Sequence, residues 1–413
     1  MAKTPKLSAA EKDGLILAGY GSMVLEGARG ISASPVWSKV AGQGIGNRIL
    51  VIVELSGGND GLNTVVPHGD DAYYQARPHL GIRKERLLTL DDQFGFQQTM
   101  TGFERLYKDG HMAIAHGVGY EQPSFSHFSS MAFWQTGAPN SGEAHGWLGR
   151  LADTLDPLGH NANFLVNIDD HQSLAVRAAN HVPLVFDDPD KFTRRIYHAE
   201  GPAMAALDTR AEAGSNSALE FLFDIAASAS RSERLVREAW AAYQTPVDYG
   251  LVSWGLQKVA ALIAADFPTQ VYYVPYRNNA FDTHVYQADL HARLWSYTSD
   301  HIAAFMRDMA RLGRADDVVL MAFSEFGRRV AENTSLGTDH GTAGPAFIIG
   351  APVAGGHYGT PPSLTDLDDG NLKFTTDYRR IYSTLIKGWM GHDQVSQVLK
   401  DDFSPLPIFT RAA

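Results

Sequence analysis

The sequence predicts an α/β fold: a doubly wound, mostly parallel central sheet with helices on both faces. Three observations predict it. Short apolar runs recur along the 413 residues, segments with apolar residues three to four apart lie between them, and polar clusters follow several of the runs. Strands that alternate with helices read as crossover units around a parallel sheet. Strands covered on both faces are apolar almost throughout.

In chain order, RILVIVELSGGNDGLNTVVP (48–67) reads as a buried strand, a glycine-rich turn and more extended chain. MAIAHGVG (112–119) is a second strand, and NFLVNID (163–169) and VPLVF (182–186) are two more. QVYYVPY (270–276) and DVVLMAF (317–323) follow the same pattern, and AFIIG (346–350) closes the series. Helical spacing runs through 217–243, 255–266, 288–313 and 377–391. No repeat and no Pro/Gly-rich linker interrupts the chain. The expected organisation is a single domain over 48–413, with a helical region at about 190–245 as a cap, preceded by an arm over 1–47. Within the arm, GLILAGYGSMVLEGAR (14–29) resembles a weak export core, but Glu26 breaks it and no twin-arginine pair precedes it. A surface helix is the preferred reading there, and such an apolar arm would suit a homodimer.

Composition excludes several classes. Apolar residues make up 44 % and charged residues 20 %, as in ordinary globular proteins. The formal net charge is -11 with no Lys/Arg-rich run, which argues against a nucleic-acid partner. No apolar stretch reaches the roughly 18 residues of a membrane span. Cysteine is absent, which removes thiol nucleophiles and thiolate ligands together. Any metal must therefore be held by histidine, carboxylates, amides or hydroxyls, chemistry that suits zinc, manganese, magnesium or calcium.

Function in such sheets gathers where strands end at their carboxyl edges. In SGGNDGLN (56–63) the glycines permit close backbone approach to a ligand, and Asp60 is placed to take a cation. Self-capping by Asn59 and Asp60 is the plain alternative. In FDTHVYQADLH (281–291), Asp282 and His284 are two apart, so an extended loop turns both to one side, a common start for a zinc or manganese site. His291 reads as a helix or core histidine. In SEFGRRVAENTSLGTDHGT (324–342), Glu325 follows its strand directly, Arg328 and Arg329 can hold an anion, and Asp339 and His340 form a polar turn. In PSFSHFSSMAFWQTG (123–137), Ser126 and His127 stand at a helix start facing the positive end of its dipole. Either is a candidate nucleophile or metal ligand, and a serine N-cap is the plain alternative.

Taken in order, LSGGNDGLNTVVP, SHFSSMAFWQTG, GWLGR (146–150), FDTH, SEFGRR with TDHGTAGPAFIIG, and TTDYRRIYSTLI (375–386) resemble the DUF1501 family over roughly 48–395. That family is distantly similar to the alkaline phosphatase/sulfatase superfamily. The resemblance implies an alkaline phosphatase-like sheet, one or two divalent ions (zinc, manganese or calcium) and a nucleophile at a helix start. It makes Asp60, Asp282, His284, Glu325, Asp339 and His340 the metal set, Ser126 or His127 the catalytic group, and Arg328 and Asn59 substrate-binding. Two departures stand out: Phe326 takes the place of a ligating histidine, and ten residues before Gly137 stands His127, not a hydroxyl. The implied activity is metal-dependent hydrolysis of an anionic phosphate or sulfate ester, small-molecule or glycan. The alternatives are a non-catalytic binding or scaffold protein with at most one ion, or a metal-dependent carbohydrate-processing enzyme. The resemblance also implies a periplasmic setting, although no twin-arginine pair is visible.

Overall fold

In the computed structural model, residues 46–192, 232–250, 255–276 and 278–409 are described. The expected arm, save residues 46–47, and residues 193–231 of the expected cap lie outside them.

The main sheet has nine strands. They are β1 (Ile49–Leu55), β2 (Met112–Gly119), β3 (Leu165–Ile168), β4 (Leu184–Phe186), β5 (Val271–Tyr276), β6 (Val318–Phe323), β7 (Gly344–Ile349), β8 (Gly356–Tyr358) and β9 (Thr376–Asp377). Their spatial order is β8-β2-β7-β6-β1-β5-β3-β4, with β9 added beside β2. All pairings are parallel except the two made by β7. The apolar runs marked seven of these strands; β8 and β9 are too short and too polar to stand out.

The alternation inside β1 shows why its run is continuous. Ile49, Val51, Val53 and Leu55 enter one core, while Leu50 and Ile52 enter the other. Successive side chains point to opposite faces, so a strand buried on both sides has no polar phase. The first core takes helix α1 (Thr101–Lys108), helix α4 (Leu256–Ala264) and the long helix α5 (Gln287–Arg311). Helix α5 buries Leu294, Trp295, Ile302, Phe305 and Met309, a stripe at three-to-four spacing. The second core takes α2 (His127–Thr136), α3 (Trp147–Leu155) and α6 (Tyr378–Ser383), with Trp134 stacked on Phe323 and Tyr378.

Strand β7 is the antiparallel member of the mostly parallel sheet, and its connection explains why. A parallel return to a neighbouring strand needs a crossover, usually helical. Residues 324–343 contain no helix and bring the chain straight back beside β6, so β7 runs antiparallel. The whole loop therefore begins and ends at the carboxyl edge of β6, and that keeps Glu325, Arg328, Asp339 and His340 on one edge.

Glu54 is the polar residue in β1, on the face of Leu50 and Ile52. It is buried and accepts hydrogen bonds from Tyr273 and from Gln135 Nε2, the latter at 2.8 Å. Burial pushes its carboxyl from an ordinary value of 4.5 up to about 7, against the pull of those two donors. Between these values the unfolded chain has released a proton that the folded chain keeps, so stability falls as pH rises through this window, by roughly 3 kcal/mol. Glu54→Gln is expected to abolish that slope, read from urea midpoints of variant and wild type at about pH 5 and pH 8.

Candidate metal centre at the carboxyl edge

Four strand ends supply the centre. The turn after β1 brings Gly57 and Gly58, the loop after β5 brings Asp282 and His284, the loop after β6 brings Glu325 to His340, and β2 leads to His127 at the start of α2. Two glycines allow the close approach. Gly57 has φ +117°, and a Cβ there would sit 2.5 Å from the backbone nitrogen of Asp282. Gly58 has φ +67°, and its Cβ would meet the Phe326 ring at 2.2 Å.

His127, Asp282 and His340 each turn one donor atom inward, and these atoms all lie within 4.8 Å of one another. Asp282 is central. Its Oδ2 is 3.5 Å from His127 Nε2, and its Oδ1 is 3.3 Å from His340 Nε2 and 2.9 Å from His284 Nε2. His284 Nε2 and His340 Nε2 are 3.0 Å apart.

The outer nitrogens fix which atoms face in. His127 Nδ1 is 2.7 Å from Glu325 Oε1, and His340 Nδ1 is 2.8 Å from the carbonyl oxygen of Phe125. Both face acceptors, so Nδ1 donates and Nε2 keeps its lone pair in the neutral ring, the usual arrangement behind a ligating histidine. His284 Nδ1 faces Asp339 Oδ1 at 3.4 Å, and its Nε2 is 3.3 Å from an Arg328 nitrogen. His127 Nε2 is buried and has no hydrogen-bond partner among the described residues. Lone-pair atoms crowded together with one of them unpartnered fit a divalent cation, and imidazole with one carboxylate is a donor set that zinc accepts. Phe326 packs against both histidine rings, 4.9 Å from His127 and 4.9 Å from His340.

Electrostatics follow from these contacts. The hydrogen bond to Glu325 raises His127 above the ordinary histidine value, helped by Asp282 and opposed by burial. Burial lowers His340, and the nearby Arg328 charge adds to that. Burial opposes the charge on Asp282, but Arg328, bound to it at 2.6 Å, holds its carboxyl below the usual range.

Of the expected metal set, the structure brings together Asp282, His284 and His340, and adds His127 to them. Glu325 stands one layer out. Its Oε1 accepts from the Gly57 N–H at 2.8 Å as well as facing His127, and its Oε2 accepts from Ser324 Oγ at 2.9 Å. Asp339 likewise reaches the cluster through His284. Asp60 lies elsewhere, in a buried ion pair with Arg77 at 2.6 Å and a 2.5 Å hydrogen bond from Gln287. Burial opposes its charge, yet Arg77 keeps its carboxyl low.

The two expected substrate-binding residues are engaged within the protein. Arg328 is buried and spends its donors on Gly58 O, Gly57 O, Thr338 O, Asp282 and His284, so none faces a substrate. Asn59 Oδ1 accepts from Thr64 Oγ1 and Trp295 Nε1 and lies 3.0 Å from His291 Nε2, which ties the turn to α5. His291 is thus a core histidine. Ser126 is the exposed N-cap of α2, and its side chain makes no capping bond.

Sequence reasoning missed Arg77, Gln287 and the role of Phe326. Arg77 sits in YYQARPHL with no motif around it, and only the fold puts it against Asp60. Phe326 was legible as a departure, but its packing on two histidines was not.

The family model described as "Protein of unknown function (DUF1501)" matches residues 47–401. A comparison with curated proteins finds no match. Among solved structures, the chain is similar to the lipoteichoic acid synthase LtaP from Listeria monocytogenes at 10% identity and TM-score 0.36, covering 82% of this chain and 71% of that one. It is similar to the C-terminal periplasmic domain of EcEptC from Escherichia coli in complex with Zn at 10% identity and TM-score 0.35, covering 73% and 72%. A third likeness is to Ps i-CgsB in complex with k-i-k-neocarrahexaose, at 10% identity and TM-score 0.37, covering 86% and 74%. Among the described residues, no helix is long and apolar enough to cross a membrane.

Proposed function

This chain belongs to the DUF1501 family, and from that premise we propose that it is a metal-dependent hydrolase of anionic esters, phosphate or sulfate. Its one divalent ion, zinc by donor chemistry, is held by His127, Asp282 and His340 with His284 beside them. The observation that carries this reading is the convergence of three donor atoms within 4.8 Å, with each histidine's other nitrogen engaged. Calcium prefers six to eight oxygens, so three imidazoles argue against it.

A bound divalent ion supplies Lewis acidity toward an ester oxygen and acidifies a water. The chain's own residues do the rest. Glu325 and the Phe125 carbonyl orient the two histidines. Arg328 fixes Asp282 and neutralises part of its charge. Ser126 presents an uncommitted hydroxyl at the N-terminus of α2, where the helix dipole favours an anionic substrate. This makes Ser126 the candidate nucleophile and His127 a ligand. Asp60, one of the expected ligands, is already paired with Arg77, which supports one ion over two.

A second reading, an ion-binding protein without hydrolytic activity, is favoured by one observation: Ser126 Oγ has no base hydrogen-bonded to it among the described residues. An assay separates the two. Metal-stripped protein reloaded with zinc, manganese or calcium is offered 4-nitrophenyl phosphate and 4-nitrophenyl sulfate. Turnover with zinc is expected, falling by at least about 100-fold in Ser126→Ala while zinc stays bound. Tight zinc binding with no turnover of either ester would favour the second reading.

A further inference from the structure

Lined by none of the metal-centre residues, an open pocket of about 310 Å³ lies beside the 343–345 segment among the described residues. Its walls are mostly apolar, formed by Leu62, Val65, Phe94, Pro345, Leu364 and Leu372. One buried titratable side chain opens on it, His116 in the middle of β2, only 5% exposed.

His116 is the inner member of a chain of three polar groups. Its Nε2 lies 2.7 Å from His357 Nδ1, and His357 Nε2 lies 3.1 Å from Asp91 Oδ2. The two imidazoles stack at 4.9 Å and 24°, and Phe94 packs on both at 4.8 and 5.2 Å. Burial and the neighbouring ring push His116 down to about 3, and burial lowers His357 as well, so both are neutral near pH 7. The Asp91 carboxylate lies beside His357 Nε2 without the geometry of a hydrogen bond, and its charge favours the His357 proton on that nitrogen. His357 Nδ1 is then the acceptor, His116 Nε2–H the donor, and His116 Nδ1 is left with a lone pair and no protein partner among the described residues.

We propose that this cavity is a second binding site, for a small uncharged ring-bearing molecule whose hydroxyl or N–H donates to His116 Nδ1. Phe94 and the prolines at 345, 361 and 362 offer flat apolar walls to a ring. Among the described residues no lysine or arginine lines the cavity, and Asp70 stands at its wall, so an anion finds no counter-charge among them. The ligand class therefore differs from the anionic ester assigned to the metal centre, and the site stands whether or not that assignment holds.

The test uses three probes that share one tolyl ring, p-cresol, toluene and 4-methylbenzoate, titrated calorimetrically into the full chain. One equivalent of p-cresol is expected to bind, about tenfold tighter than toluene, the worth of one hydrogen bond. His116→Phe should bring the two to parity. Asp91→Asn keeps the Oδ1 atom that accepts from the Gln93 and Phe94 N–H groups while removing the charge, and it should weaken p-cresol alone. Equal affinity for p-cresol and toluene in the wild type, tighter binding of 4-methylbenzoate, or no binding of any probe to folded protein would each overturn the proposal. An Asp91→Asn variant that binds p-cresol unchanged would overturn the carboxylate's part in it.

Discussion

Arg77→Met lowers the free energy of unfolding by about 3–5 kcal/mol, the expected cost of leaving a buried carboxylate without its counter-charge. Both side chains of the Arg77–Asp60 pair are fully buried, and Asp60 Oδ1 already lacks a hydrogen-bond partner among the described residues. Arg77 also donates to the carbonyls of Val330 and Arg329 and to Asn63, so its loss releases the loop after β6. The methyl thioether fills part of the volume but satisfies none of these acceptors. Adding Asp60→Asn removes the stranded charge and should recover a large share of the loss, because the penalty lies in the unpaired ion more than in the missing bond. Urea midpoints of the wild type, the single variant and the double variant check this. A single-variant loss under about 1 kcal/mol would mean that Asp60 is not held by Arg77 in solution.

Glu325→Gln is expected to weaken zinc affinity by about 10–100-fold while leaving the fold intact, the typical effect of losing a carboxylate behind a ligating histidine. Glutamine keeps an acceptor for the Gly57 N–H but no longer draws the His127 proton to Nδ1 by charge. Asp339→Asn should change affinity far less. Its carboxylate is more than half exposed and faces His284 at 3.4 Å. Competition titrations against a chelating dye measure both, and equal losses in the two variants would contradict the ranking of the outer carboxylates.

Much of the fold was legible because burial on both faces leaves β1, β2, β5 and β6 apolar at nearly every position. The site was legible in part for the same reason: polar residues directly after such runs must lie at one edge. What the sequence hides is which polar residues meet. Asp60 and Asp282 look alike on paper, each a carboxylate in the turn that follows a strand. One is captured by an arginine 17 residues on, and the other faces three histidines from three loops. Direction was hidden too. AFIIG carries no mark of running antiparallel, because an apolar strand reads the same both ways. Arg328 looked like an exposed anion binder because its neighbours are polar. Its burial comes from the Gly57 and Gly58 carbonyls folding over it.

The central claim is a single-ion centre built on His127, Asp282 and His340, and elemental analysis of protein dialysed against dilute zinc tests it most directly. One zinc per chain is expected in the wild type and in Asp60→Asn, and none is retained in Asp282→Ala or His340→Ala. Two ions per wild-type chain, or one ion that survives Asp282→Ala but is lost in Asp60→Asn, would contradict it.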